Sequence, residues 1–252
     1  MAQSFKSLKL ENKICSKPVF IQLLQTNHNT SIAQKGVQEC VTISFVNPFS
    51  YKLIAENTRI IDAIDYWFID GSLLCILTNL TREEKIERAS FDFSSVATDF
   101  FNYVALHRTP VALVGAATDE IEDAATNLKL MFPKLKVVYN HHGYIKKEQF
   151  QTICEQLDAQ CVERLVVGMG TPMQEEFTLF VKQHSKTVKQ IVTCGGFLTQ
   201  TAIKGDYYHP LVKKFGLRWL QRAVMHSHVR RRLIKDYPKF IFNYCYSHLR
   251  GK

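Results

Sequence analysis

Short, largely apolar runs alternate along this chain with longer stretches in which apolar residues return every three or four positions. The runs at Val41–Val46 (VTISFV), Tyr66–Ile69 (YWFI), 111–114 (VALV), 137–139, 165–167 and 191–193 have the length and side-chain character of strands. The stretches at 48–56, 95–107, 119–131, 147–157, 173–183 and 198–204 have helical periodicity. A strand apolar at every position is covered on both faces, and helices between such strands are the crossovers of a parallel sheet. The pattern predicts an α/β fold with helices on both faces of the sheet. The first forty residues give no comparable signal.

Beyond residue 204 the pattern changes. Leu211, Phe215, Leu217, Trp219 and Leu220, and then Leu233, Ile234, Tyr237, Phe240, Ile241 and Tyr244, predict at least two amphipathic helices. The second should be kinked or interrupted at Pro238, which has no N–H to donate. The 252 residues thus divide into an α/β domain over 1–204 and a helical appendage over 205–252. No Gly/Ser linker separates them, so the appendage should pack against the main domain.

The appendage also carries the excess charge. The whole chain is +9, with 32 basic and 23 acidic residues. Residues 201–252 hold 12 Lys or Arg against Asp206 and Asp236, and nine aromatic residues accompany them, so the preceding part is close to neutral. Such a segment suits polyanions: nucleic acid, anionic lipid head groups or diphosphates. A solvated basic face without a partner has the same composition.

No apolar run has the 18 to 20 or so residues of a membrane span, and the start MAQSFKSLKLENK lacks a signal-peptide apolar stretch. The expected chain is soluble or peripheral. Its seven cysteines (15, 40, 75, 154, 161, 194 and 245) are scattered, with no C-x-x-C pair, and read as reduced, mostly buried thiols.

In an open parallel sheet ligands bind beyond the carboxyl ends of the strands. The residues there are Asn47 and Pro48, Asp70 and Gly71, Gly115, the turn from His141 to Tyr144, the turn from Gly168 to Pro172, and Gly195 and Gly196. Glycine recurs at five of these six places, where it would let backbone approach a ligand. No G-x-G-x-x-G follows the first strand, and G-x-x-x-x-G-K-[ST], H-E-x-x-H and G-x-S-x-G are absent. Dehydrogenase, P-loop, zincin and α/β-hydrolase readings therefore lack their main evidence. In VVGMGTPMQEEF (166–177) a strand end, a Gly-x-Gly-x-Pro turn and a helix start carry Gln174 and Glu175, an arrangement suited to a phosphate and a sugar hydroxyl.

That segment, with NPFSY (47–51), IDG (69–71), HGY (142–144), CGGF (194–197) and GLRWLQR (216–222), resembles the WecG/TagA/CpsF glycosyltransferases, glycosyltransferase family 26. The resemblance implies a Rossmann-like domain that binds a UDP-sugar. It implies transfer of the sugar, with inversion and without a metal or other cofactor, to a polyprenyl-diphosphate-linked sugar in cell-surface polysaccharide synthesis. The setting implied is cytoplasmic, peripheral on the inner face of the cytoplasmic membrane. The partners implied are the donor, the lipid-linked acceptor and an anionic membrane surface, with no nucleic acid, and the resemblance is compatible with a homo-oligomer. Asp70 matches the aspartate that serves as general base, Gln174 the glutamine near the reaction centre, Asn47 a donor-sugar contact and Tyr144 an aromatic that stacks on uracil. Gly115, Gly168, Gly170, Pro172, Glu175, Gly195 and Gly196 complete the donor site, with Glu175 alternatively a helix-dipole residue. Asp62 and Asp65 are weaker candidates for the base.

Arg222, Arg230, Arg231 and Arg232 are the candidates for gripping the acceptor diphosphate bidentately, although Val229 stands where the family spacing has an arginine. The chain departs from the family elsewhere too. Leu198 replaces an aspartate suited to ribose hydroxyls, Phe45 a threonine, and Tyr208-His209-Pro210 an Arg-Ala-Pro. Two other readings remain at this level: a nucleic-acid-binding protein using the tail, for which no motif is present, and another Rossmann-type nucleotide-dependent enzyme, for which no phosphate fingerprint is present.

Overall fold

A computed structural model of the chain describes residues 7–29, 40–203, 224 and 227–250. Its centre is a six-stranded sheet, all parallel: β1 (Val41–Val46), β2 (Tyr66–Ile69), β3 (Pro110–Gly115), β4 (Lys136–His141), β5 (Arg164–Gly168) and β6 (Gln190–Thr193). The spatial order is β2-β1-β6-β5-β3-β4. The predicted strands are all present, each within two residues of its expected ends.

Successive residues of a strand point to opposite faces, and both faces are buried. Val111 and Leu113 join one apolar cluster, with Phe20 and Leu24 of α2 (Lys17–Asn29), Phe100 and Val104 of α6 (Val96–Leu106), Leu128 of α7 (Thr118–Met131) and Leu198 of α10 (Phe197–Ile203). Ala112 and Val114 join another, with Ile153 of α8 (Phe150–Ala159) and Phe177 and Val181 of α9 (Met173–His184). This is the two-faced α/β architecture that the apolar runs predict.

The sheet's β2 end is covered by a third cluster. It combines Val46, Trp67 and Ile69 with α1 (Ser7–Glu11), α3 (Pro48–Ala55), α4 (Thr58–Ala63) and α5 (Ser72–Thr81). Helices α1, α2, α4 and α5 were not anticipated from the pattern.

The final helix, α11 (Ser227–Arg250), is built into that third cluster. Phe240 and Tyr244 are buried; both rings meet Tyr51 of α3 edge-on, at 5.6 and 5.9 Å, and the Tyr244 hydroxyl reaches Thr78 Oγ1 of α5 at 3.3 Å. The expected interruption at Pro238 does not occur, since the helix runs through it. Pro238 lies on the exposed side, and the anchoring of Phe240 and Tyr244 holds the following turns despite the missing N–H. The first expected tail helix, with Trp219 and Arg222, lies outside the described residues. No helix among the described residues is long and apolar enough to cross a membrane.

Candidate active site

The carboxyl ends of β1, β2, β5 and β6 open into a cleft of about 930 Å3. Its floor is mostly backbone. A Cβ on Gly115 would come within 2.5 Å of Gly168 O, one on Gly168 within 2.7 Å of Gly195 O, and one on Gly143 within 2.8 Å of Gly115 Cα. Only glycine lets these turns lie so close. Of the strand-end residues expected to bind the donor, Asn47, Tyr144, Gly168, Gly170, Gly195 and Gly196 line the cleft, as do Asp70 and Gln174. Gly115, Pro172 and Glu175 are not part of that lining: Gly115 and Glu175 are buried and Pro172 is exposed.

Asp70 follows β2, its amide bonded to Val46 O at 2.7 Å, and Gly71 then takes φ +104°, a conformation that turns the chain sharply into α5. The start of α5 has no side-chain cap, so Gly71, Ser72 and Leu73 present it to the cleft bare. The start of α3 differs. Asn47 Oδ1 accepts from Phe49 N and Ser50 N, both at 3.0 Å, so only the Asn47 NH2 group is left to meet a ligand. The turn into α9 is also partly engaged, because Gln174 N donates to Gly170 O at 2.9 Å.

Across from α5 lies a segment that strand-end reasoning missed. Ala89 N bonds to Ile69 O at 3.0 Å and sets Arg88 beside Asp70. Arg88 Nη2 lies 3.3 Å from Asp70 Oδ1 and 2.7 Å from Asp92 Oδ2. Asp92 also accepts from Ser90 Oγ at 2.9 Å and from the amide and hydroxyl of Ser94. Burial alone would push its carboxyl up, but Arg88 and these hydrogen bonds outweigh burial and hold it below the ordinary carboxylate range. Arg88, Ser90 and Asp92 all line the cleft, together with Thr171, Thr193, Thr199 and Gln200. Their signal in the sequence was Arg, Ser and Asp alternating with Ala and Phe in R-A-S-F-D, a stretch that follows no strand.

The other candidates for the base stand elsewhere. Asp62 pairs with Lys9 at 2.6 Å on the surface of α4. Asp65 precedes β2, at the opposite edge of the sheet, where it holds Thr42 and Lys182. Glu175 is wholly buried, and desolvation raises its carboxyl pKa despite hydrogen bonds from Gln174 and Ser44.

The departures from the family pattern have structural counterparts. Phe45 lines the cleft and packs on Phe20, Phe68 and Phe91. Leu198 is buried against the glycine floor, while Thr199, tied to Glu120 at 3.0 Å, and Gln200 face the cleft. Cys194 lines the cleft too, yet burial pushes its thiol pKa far up, which disfavours the thiolate a nucleophile needs. Three cysteines (40, 154 and 194) are buried, whereas Cys161 and Cys245 are exposed, so burial is less general than expected. Among the described residues no three His, Cys, Asp or Glu side chains converge as metal ligands.

Of the tail arginines, Arg230 and Arg231 are exposed on α11, the former bonded to Val224 O at 3.2 Å. Arg232 is on the same helix, its side chain outside the described residues, as is the whole of Arg222. Tyr237 brings α11 to the wall of the cleft.

The chain is 37% identical over 241 residues, 95% of its own length and 96% of the other's, to the UDP-Gal:alpha-D-GlcNAc-diphosphoundecaprenol beta-1,4-galactosyltransferase of Shigella boydii. It is 31% identical over 133 residues, about half of each chain, to the N-acetylglucosaminyldiphosphoundecaprenol N-acetyl-beta-D-mannosaminyltransferase of Staphylococcus aureus strain MW2. Residues 22–252 match the WecG/TagA/CpsF glycosyl transferase family. With a strand-end cleft bearing Asp70 and Gln174, and this match over nearly the whole chain, the protein belongs to the WecG/TagA/CpsF family and is a glycosyltransferase.

Proposed function

We propose that the protein moves galactose from UDP-galactose to an N-acetylglucosamine carried on a polyprenyl diphosphate, in the synthesis of a cell-surface polysaccharide. The observation that carries this reading is near-full-length similarity to a galactosyltransferase of that specificity, in a chain whose cleft presents a carboxylate at a strand end.

In this reading the reaction is one inverting displacement. Asp70 takes the proton of the acceptor hydroxyl as that oxygen bonds to the anomeric carbon; the bond from that carbon to the diphosphate oxygen breaks, and its electron pair leaves with UDP. The bare start of α5 beside Asp70 supports charge stabilisation of a phosphate by backbone amides, without a metal. Arg88 fixes the orientation of Asp70 through the 3.3 Å contact. Tyr144, 80% exposed at the rim, is free to lie on the uracil ring.

Residues 1–204 bind the donor, and the appendage over 205–252 brings the acceptor and the membrane. Supporting this, Tyr237 of α11 reaches the cleft while Arg230, Arg231, Lys235 and Lys239 of the same helix are exposed to meet anionic head groups or diphosphate on the inner face of the cytoplasmic membrane. The test is transfer of labelled galactose to a short-chain polyprenyl-diphosphate N-acetylglucosamine, with UDP-glucose, UDP-N-acetylglucosamine and UDP-N-acetylmannosamine as competing donors. Galactose transfer at least tenfold faster than the rest is expected; preference for another sugar would overturn the donor assignment.

A further inference from the structure

At the head of α9, Glu175 Oε1 accepts hydrogen bonds from Ser44 Oγ at 2.9 Å, from Gln174 Nε2 at 2.8 Å and from Thr171 Oγ1 at 3.3 Å. Ser44 in turn shares a hydrogen bond of 2.8 Å with Thr193. Gln174 Nε2 also lies 3.4 Å from Thr171 Oγ1, so the amide NH2 of Gln174 is directed into this cluster from two sides. Gln174 Oε1, by contrast, is buried and has no partner among the described residues, although Gln174 is in the cleft wall.

A side-chain amide can be turned either way, and here its neighbours decide. An ionised Glu175, or a neutral one with its proton on the unpartnered Oε2, leaves Oε1 to accept from the hydroxyls and from the NH2 of Gln174 alike. The carbonyl oxygen is then the end left to be paired, and a buried acceptor of this kind calls for a donor. We propose that Gln174 accepts a hydrogen bond from a hydroxyl of the donor hexose, and that Glu175 is the positioning residue that sets this polarity. The inference rests on the reading that a UDP-hexose fills the cleft, and deepens it.

The test is calorimetric binding of UDP-galactose and of its 2-, 3-, 4- and 6-deoxy and deoxyfluoro analogues, without acceptor. A hydroxyl that donates is lost equally in both kinds of analogue, because fluorine accepts but cannot donate. Wild type should bind one deoxy analogue, and the fluoro analogue at the same position, about tenfold more weakly than UDP-galactose. In Gln174→Ala and Glu175→Met that discrimination should fall below about threefold, whereas Glu175→Gln, which keeps a carbonyl oxygen in place, should retain it. If Glu175→Met does not fold, Ser44→Ala is measured instead and should show a partial loss. Recovery of affinity by the fluoro analogue, or equal discrimination in wild type and Gln174→Ala, would overturn the acceptor role. Unchanged discrimination in Glu175→Met, or in Ser44→Ala in its place, would remove Glu175 from positioning. Failure of wild type to bind either UDP or UDP-galactose would instead remove the donor reading itself.

Discussion

Asp70 and Arg88 meet at 3.3 Å across the mouth of the cleft, one from a strand end and the other from a loop eighteen residues on. The contact gives the carboxylate one held orientation, which a group that must take a proton in a defined direction requires. Asp70→Asn keeps the shape and removes the proposed base. Transfer should fall at least about 10²-fold, with UDP affinity unchanged by calorimetry and the melting temperature preserved. Activity within threefold of wild type would exclude Asp70 as the base.

Asp92 anchors the other side of Arg88. Its folded-state pKa is lowered, so the stability it contributes is present above the unfolded value of 3.8 and is lost as pH falls through the folded one. Asp92→Asn should therefore destabilise the protein at pH 7 by about 1 to 3 kcal/mol, and the gap to wild type should close below roughly pH 4. Denaturant titrations across this range would reveal it.

Glu175 has the opposite sign. Its folded pKa is raised above 4.5, so ionisation favours the unfolded chain and stability declines as pH rises past that value. Glu175→Gln cannot ionise, and its melting temperature should overtake that of wild type toward alkaline pH. Parallel pH profiles for the two proteins would contradict this.

How much of this could be read along the chain depends on what a pattern records. VTISFV and YWFI are strands with the expected ends because burial on both faces leaves a nearly unbroken apolar run, broken in VTISFV only by Thr42 and Ser44, which hydrogen-bond to Asp65 and Glu175. Helix α5, SLLCILTNLT, shows no clear period, because its buried Leu74, Leu77 and Thr78 mix with exposed Ile76 and Leu80. Asp70 was legible as a strand-end residue. Arg88 and Asp92 were not, since their place comes from loop hydrogen bonds, that between Ala89 and Ile69 and those of Ser90 and Asp92 with the start of α6, which no periodicity encodes.

Tyr244 ties α11 to α3 and α5. Tyr244→Phe removes the hydroxyl and its hydrogen bonds, that to Thr78 among them, and should cost about 1 kcal/mol. Tyr244→Ala removes a buried ring, worth about 3 to 5 kcal/mol in a core. That change should release α11, seen as faster proteolysis there, with UDP binding retained and transfer to the lipid-linked acceptor greatly reduced. Normal transfer from a protein with a released α11 would show that the appendage is dispensable for the acceptor.

Metal independence follows from the proposed use of α5 amides. Transfer should be the same in EDTA and in millimolar magnesium or manganese. Loss of turnover in EDTA that manganese restores would require a different account of how the leaving diphosphate is stabilised.

The glycine floor, where Gly115, Gly143, Gly168 and Gly195 lie backbone against backbone, constrains how such a protein can change its substrate. Peptide groups cannot be exchanged by point mutation; a side chain added at Gly115, Gly143 or Gly168 would collide with a neighbouring turn, and one at Gly195 would be strained by its φ of +54°. New sugar preferences must therefore come from the rim, where Gln200, Thr199 and Tyr144 can vary without disturbing the strands beneath. A fixed basin with an editable edge allows one scaffold to serve many polysaccharides, and saturation mutagenesis would alter donor choice at the rim long before the floor tolerated a single change.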